Sequence, residues 1–277
     1  MNPIVAIIAP GMMGAAVGKR LVDHGLKVLT SLQGRTEETR LRAQAAGMIS
    51  GSDEEIAAAD LILSILPPGD AVALAQRFAP ALTASNSKPV FVDCNAVSPN
   101  TVERIAAAIA PTGAPFVDAG IIGGPPTQSG TRFFASGPGA AELVGLSEFG
   151  LDWRLLEGEV GQASGLKMCY AAMTKGLQAL GAELLVAARL LGVEDTLRDE
   201  QNEGASLAAV RQFVERALPT MPPKAYRWIG EMEEIARTFE DLGLPGRMLL
   251  GAADVYTNVR DGGLLATELP VTPATRV

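Results

Sequence analysis

Three small residues at fixed spacing open the chemistry. Ala9-Pro10-Gly11-Met12-Met13-Gly14 follows an apolar run and leads into an Ala-rich stretch. A-x-G-x-x-G is a variant of the glycine fingerprint that holds the pyrophosphate of a dinucleotide. Gly11 lets the backbone approach the phosphates, and Gly14 lets a helix pack closely on the preceding strand. The N–H groups of Met12 and Met13 and the helix dipole then face the anion. The competing reading is an ordinary tight turn between strand and helix. About twenty residues on, an acid would hold the ribose hydroxyls of NAD. Here Ser31-Leu32-Gln33-Gly34-Arg35-Thr36 carries none. Arg35 suits a 2′-phosphate, with Ser31 and Thr36 as hydroxyl donors, so the expected cofactor is NADP. Arg35 as a plain solvated loop charge is the alternative.

A bound nicotinamide implies hydride transfer, and a reacting C=O then needs a proton donor. The only histidine, His24, sits beside Gly25 at a helix end, where a surface charge is expected. Lysine is the next choice. Gly161-Gln162-Ala163-Ser164-Gly165-Leu166-Lys167 is a small, flexible run that feeds a long helix, with Lys167 in its first turns and Lys175 two turns further. Burial lowers a lysine pKa and would suit an acid–base role. By spacing alone Lys167 fits a surface lysine equally well. The surrounding walls are sought at strand ends: Leu66-Pro67-Pro68-Gly69, Cys94-Asn95-Ala96, and Gly120-Ile121-Ile122-Gly123-Gly124. Each is also compatible with simple turn chemistry. Cys94 and Cys169 lack metal-site spacing, no metal is expected, and a small buried side chain is the expected role of Cys94.

The elements that must position these residues alternate. Apolar strands are predicted at 4–9, 27–32, 61–66, 90–94, 116–119 and 132–136. Helices are predicted at 12–24, 36–46, 71–82 and 100–110. That order implies an α/β fold, a Rossmann-type doubly wound parallel sheet. Beyond residue 160 strands become scarce. Helices are predicted at 166–191, 207–217, 225–242 and 248–261, with Leu269–Val277 as a tail. The division is therefore 1–160 for the NADP-binding domain and 161–277 for an all-α domain.

Bulk properties agree with a well-cored folded chain. Hydrophobic residues make up 48% and charged residues 19% of the 277, and the net charge is -8. That acidity, with no basic run, argues against nucleic acid or an anionic membrane as partner. The start, Met1-Asn2-Pro3-Ile4, reads directly as a strand, so the cytoplasm is the expected location.

Taken together, these residues resemble the β-hydroxyacid dehydrogenases, the group that includes 3-hydroxyisobutyrate and 6-phosphogluconate dehydrogenases. The resemblance rests on the A-x-G-M-M-G loop, Gly34-Arg35-Thr36, Leu66-Pro67 and Asp93…Ser98-Pro99. It continues through Asp118-Ala119…Gly123-Gly124, Gly130-Thr131 with Gly137, and Gly161-x-Ala163-x-x-x-Lys167. Pro223-Lys224-Ala225-Tyr226-Arg227-Trp228 and the run from Glu231 to Ala236 point to a little-characterised branch with its own helical C-terminal domain. The resemblance implies Lys167 as the catalytic lysine and a homodimer formed through the helical domains.

Departures from the family pattern are informative. Asn95-Ala96 replaces Ser-Thr, Ile122 replaces a Ser, and Ala171 replaces an Asn. Gly230-Glu231 stands where the family has Lys-Asp. Losing donors weakens a pocket for a small hydroxy-acid anion, so a bulkier, more apolar or less acidic small-molecule substrate is expected. Asn95, Tyr170, Lys175, Arg227 and Glu231 are candidate replacement contacts beside Ile122, Gly123, Gly124 and Ala171. Three functions are weighed: an NADP-linked dehydrogenase or carbonyl reductase, an imine reductase, and a non-catalytic NADP-binding protein. Retention of Lys167 favours the first.

Overall fold

A computed structural model of the chain describes residues 2–127 and 130–269. The first unit, Met1–Met168, opens with β1 (Ile4–Ile8), α1 (Met12–Asp23), β2 (Lys27–Thr30), α2 (Glu37–Ala45) and β3 (Ile49–Ser50). Next come α3 (Asp53–Ala57), β4 (Leu61–Ser64), α4 (Ala71–Ala84), β5 (Val90–Asp93) and α5 (Pro99–Ile109). It closes with β6 (Phe116–Ile122), β7 (Arg132–Ser136) and β8 (Asp152–Leu155). The helix α6 (Gln162–Leu190) begins in this unit and continues into the second, Cys169–Val277. There α7 (Glu194–Glu203), α8 (Ala205–Ala217), α9 (Ala225–Asp241), α10 (Arg247–Arg260) and α11 (Leu264–Glu268) follow. The expected tail lies outside the described residues except for Leu269, which is buried.

The strands form one sheet in the order β3-β2-β1-β4-β5-β6-β7-β8. All neighbours are parallel except β6 and β7. The reason for the exception is the connection: the nine residues from 123 to 131 are too few for a crossover, so the return is antiparallel. The central strands are buried along their length, as expected of parallel strands covered on both faces. One apolar layer gathers Val5, Ile7, Val28, Leu63, Val92 and Phe133. The other gathers Ile8, Ile62, Phe78, Phe91 and Ile105. The order reverses between β1 and β4, so the ligand crevice of a doubly wound sheet lies beyond their carboxyl ends.

Local chemistry explains where elements begin. Ser52 closes a capping box with Glu55 at the start of α3, and Ser98 followed by Pro99 opens α5. The long helix was expected from residue 166 but starts at Gln162, because its first turn is capped from a distant strand, as described below. In the helical unit α9 buries Trp228, Met232, Ile235 and Ala236 on one face, and α10 buries Ala252, Val255, Tyr256 and Val259. The two helices share a Trp228–Tyr256 edge contact with ring centroids 5.2 Å apart. Among the described residues no helix is long and apolar enough to cross a membrane.

Candidate functional site

The glycine loop has the geometry its spacing implies. Gly11 ends the turn after β1 as the N-cap of α1, with no side chain capping the helix. The Gly11 carbonyl accepts from the Ala15 N–H, and among the described residues Met12, Met13 and Gly14 show no backbone acceptor for their N–H groups. A Cβ on Gly14 would collide with the Ala9 carbonyl oxygen, and this close approach holds α1 against β1. A Cβ on Gly11 would meet nothing within 4 Å, so open space faces the helix N-terminus. A dinucleotide pyrophosphate fits that space and those donors.

At the end of β2, Ser31 is buried and its hydroxyl accepts from Arg77 Nη2 at 2.8 Å. Arg77 reaches over from α4, held by Asp53 through Nε and Nη2 at 2.9 and 2.7 Å, and also touches Gln33. Thr36 is the N-cap of α2 and accepts from the Thr39 N–H, so its hydroxyl is committed to the helix. Arg35 is half-buried, and its carbonyl accepts from Arg40 Nε at 3.2 Å. The sequence pattern points to Arg35 and not to Arg77. Its only signal was a lone cation in the apolar run of α4.

A polar row crosses the sheet one step further along. Register places Ser64, Asp93, Asp118 and Ser136 side by side on β4, β5, β6 and β7. All four are fully buried. Asn95 closes one end: its amide donates to Ser64 Oγ at 2.8 Å and Asp93 Oδ1 at 2.5 Å. Its carbonyl oxygen accepts from the Leu66 N–H at 2.5 Å, which pins the Leu66-Pro67 wall. The Asn95 side chain is thus occupied within the protein. At the other end Asp118 accepts from the N–H groups of Gly161 and Ser164, each at 3.0 Å, and from Ser164 Oγ at 2.6 Å. Ser136 Oγ adds a bond to Asp118 and accepts from the Ala163 N–H. A carboxylate on β6 therefore caps α6 from outside its own segment. Burial pushes the Asp93 carboxyl up to about 7, with the Asp118 charge adding to it; burial raises Asp118 too, against its hydrogen bonds. Burial also pushes the Cys94 thiol up, away from nucleophilic use.

The capped helix delivers Lys167, whose Nζ donates to the Ile121 carbonyl at 2.6 Å. Gly120 makes this approach possible, since a Cβ there would meet the Ala163 carbonyl at 2.8 Å and Lys167 Cβ at 3.1 Å. Ile122 is buried, and Gly123 turns the chain with φ 123°, a conformation that favours glycine. Thr131 Oγ1 donates to the Gly124 carbonyl at 2.7 Å and fastens that turn. The structure thus brings together Lys167, Ile122, Gly123 and Gly124 at the carboxyl end of β6.

The other expected substrate contacts lie in the helical unit. Lys175 and Glu231 form a nearly buried ion pair at 2.6 Å. Tyr256 donates its hydroxyl to the Lys175 carbonyl at 2.7 Å, and burial raises its pKa. Lys175 and Lys224 both lie over the Trp228 ring, at 5.9 and 5.8 Å. Burial, with Arg227 nearby, lowers the Lys224 pKa. Arg227 is half-buried, Tyr170 is exposed, and Ala171 is buried within α6.

Residues 4–142 match the family described as the NAD binding domain of 6-phosphogluconate dehydrogenase, and residues 188–259 match a domain of unknown function, DUF1932. A 28.5 kDa uncharacterised protein of Methanothermus fervidus, named for the 5′ region of its 7S RNA, is 31% identical over 204 residues. That stretch covers 72% of this chain and 77% of that protein. Among solved structures, the conserved protein MTH1747, of unknown function and described as structurally similar to 3-hydroxyacid dehydrogenases, is 29% identical. It superposes with a TM-score of 0.72 over 95% of this chain and 98% of its own. The 3-hydroxyisobutyrate dehydrogenase of Mycobacterium tuberculosis shares the fold at 18% identity, with a TM-score of 0.73 over 96% and 99% of the two chains.

Proposed function

The chain belongs to the family of the NAD-binding domain of 6-phosphogluconate dehydrogenase, a family of nicotinamide-dependent oxidoreductases, and on that premise we propose that it is an NADP-dependent dehydrogenase or reductase of a hydroxyl/carbonyl pair, with Lys167 as its acid–base. The observation that carries the proposal is the placement of Lys167. Its ammonium donates to the Ile121 carbonyl where β6 ends, on a helix capped by Asp118. When bound, the nicotinamide supplies or accepts the hydride. Gly11 and the first-turn N–H groups of α1 would hold the pyrophosphate, and Arg35 the 2′-phosphate. Lys167 donates a proton to the oxygen that becomes the hydroxyl, or removes it in the reverse direction. The Ile121 carbonyl orients the ammonium, and Ile122 presents an apolar wall suited to a substrate more apolar than a simple 3-hydroxy acid.

Titration with NADPH and NADH, read by nicotinamide fluorescence on the wild type and Arg35→Ala, tests this reading. Preference for NADPH that falls at least tenfold in the variant supports it. Preference for NADH, or binding of neither, overturns it.

The protein also acts as a homodimer in this proposal. Tyr170, Met173, Leu180, Leu184 and Leu191 are exposed at alternating intervals along and just beyond α6, with Leu177 completing the series. Spacings of three and four place Tyr170 through Leu184 on one helical face, with Leu191 seven residues further on. A second copy of the same helix offers the matching surface, since a self-complementary patch is what a two-fold dimer requires.

A further inference from the structure

The strand beside β6 carries a cation that the mechanism above leaves unused. Arg132 opens β7, and register places it directly opposite Ile122. Opposed residues of an antiparallel pair have Cα atoms about 5 Å apart and point to the same face. That face is known. Gly120 lies two residues before Ile122, on the same side of β6, and it is packed against Ala163 and Lys167. Asp118, two residues earlier again, caps the same helix. Arg132 therefore shares a face with Lys167 and stands at the carboxyl end of β6, where ligands of such sheets lie.

Arg132 shares one feature with Arg211 and Arg227 of the helical unit. Its Nε is buried and has no hydrogen-bond partner among the described residues. A carboxylate is close at hand, since Asp152 of β8 is its register neighbour on the other side. Asp152 is turned away, however, in a two-pronged pair with Arg154 at 3.1 and 2.9 Å. Arg154 in turn lies over Phe134, the next residue on this face of β7. Buried guanidinium nitrogens are ordinarily satisfied, and a side-on guanidinium offers two parallel donors matched to an oxyanion. Across the pair, Ile122 occupies the position where the resembled family has a serine. A donor lost on β6 is thus answered by a stronger donor on β7.

We infer that Arg132 is the anchor for an oxyanion group, a carboxylate or a phosphate, carried by the substrate beside Lys167. The inference rests on the oxidoreductase reading above and specifies its substrate: an apolar body against Ile122 with one anionic end on Arg132. The anion fixes the distance of the reacting carbon from Lys167, so removing the anchor weakens binding of charged ligands and spares neutral ones.

The test is calorimetric titration of the NADPH-saturated protein with malonate, inorganic phosphate and, as neutral control, malonamide. Wild type and Arg132→Met are compared, with Arg132→Lys as a second variant that keeps the charge and loses the fork. Malonate or phosphate binds the wild type, whichever does naming the source of the oxyanion, and malonamide binds at least tenfold more weakly. Arg132→Met loses at least tenfold in affinity for that anion, Arg132→Lys loses less, and NADPH affinity stays within twofold in both. Equal anion affinity in Arg132→Met, equal binding of malonamide, or no anion binding to NADPH-saturated wild type overturns the inference. Failure to bind NADPH at all overturns the oxidoreductase reading instead, which keeps the two separable.

Discussion

Replacing Asp93 with Asn should flatten the pH dependence of stability in the sheet unit between pH 5 and 8. Burial holds the Asp93 carboxyl at about 7 in the folded protein, against an ordinary 3.8. In the unfolded chain the proton leaves near pH 4. Between pH 4 and 7 the folded state therefore carries the extra proton, and stability falls as pH rises through that window. A tenfold difference in proton affinity between the two states is worth about 1.4 kcal/mol. Raising the pH from 5 to 8 therefore costs on the order of 2–3 kcal/mol from this one group. The Asn variant cannot ionise, so its curve is flatter. It keeps the acceptor for the Asn95 amide but replaces the acid's hydroxyl, whose oxygen can still accept from the Asn95 N–H, with an NH2 that cannot. That loss makes it less stable than wild type at pH 5, by about 1–3 kcal/mol. The two proteins converge by pH 8. Urea unfolding at pH 5, 6, 7 and 8 measures this. The chain has two tryptophans, and Trp228 lies in the helical unit, so a Trp228→Phe background leaves Trp153 reporting on the sheet. Parallel pH curves for wild type and Asp93→Asn would refute the protonated-row account.

Other perturbations separate positioning from binding. Gly120→Ala drives a Cβ against the Ala163 carbonyl and Lys167 Cβ; it should cost about 1–3 kcal/mol of stability and, by moving the ammonium, lower turnover up to about a hundredfold. NADPH affinity, read by fluorescence, should change less than threefold. Gly14→Val forces α1 off the Ala9 carbonyl and should weaken NADPH binding at least tenfold, measured in the same titration. Leu180→Arg with Leu184→Arg places charges on an exposed face of α6; light scattering should show a monomer whose far-ultraviolet circular dichroism matches wild type.

Much of the fold is legible because the central strands are continuous apolar runs and the glycine loop sits where a strand meets a helix. Ile4–Ile8, Leu61–Ser64 and Val90–Asp93 form where the apolar runs predict them. Short elements with little apolar content escaped: β3 has two residues, α3 is largely acidic, and β8 buries only Trp153. They exist through pairing and capping, which local pattern does not report. α7 is a polar helix without a buried face, so periodicity had nothing to register. The site divides the same way. Lys167 and the glycine loop were visible as residue types at spacings. The row from Ser64 to Ser136, Arg77 against Ser31, and Arg132 opposite Ile122 arise from register between strands distant in sequence. An aspartate ending the apolar run of β5 and another within β6 were the visible trace of that row.

The central claim is that Lys167 performs proton transfer beside a bound nicotinamide. The most direct measurement is the rate of NADPH oxidation, followed at 340 nm over a panel of aldehydes, ketones, keto acids and cyclic imines, for wild type and Lys167→Met. Wild type should reduce at least one carbonyl compound, and the variant should lose ~10²–10⁴-fold in turnover while binding NADPH within threefold of wild type. Equal turnover by Lys167→Met, or turnover confined to imines, would contradict the account.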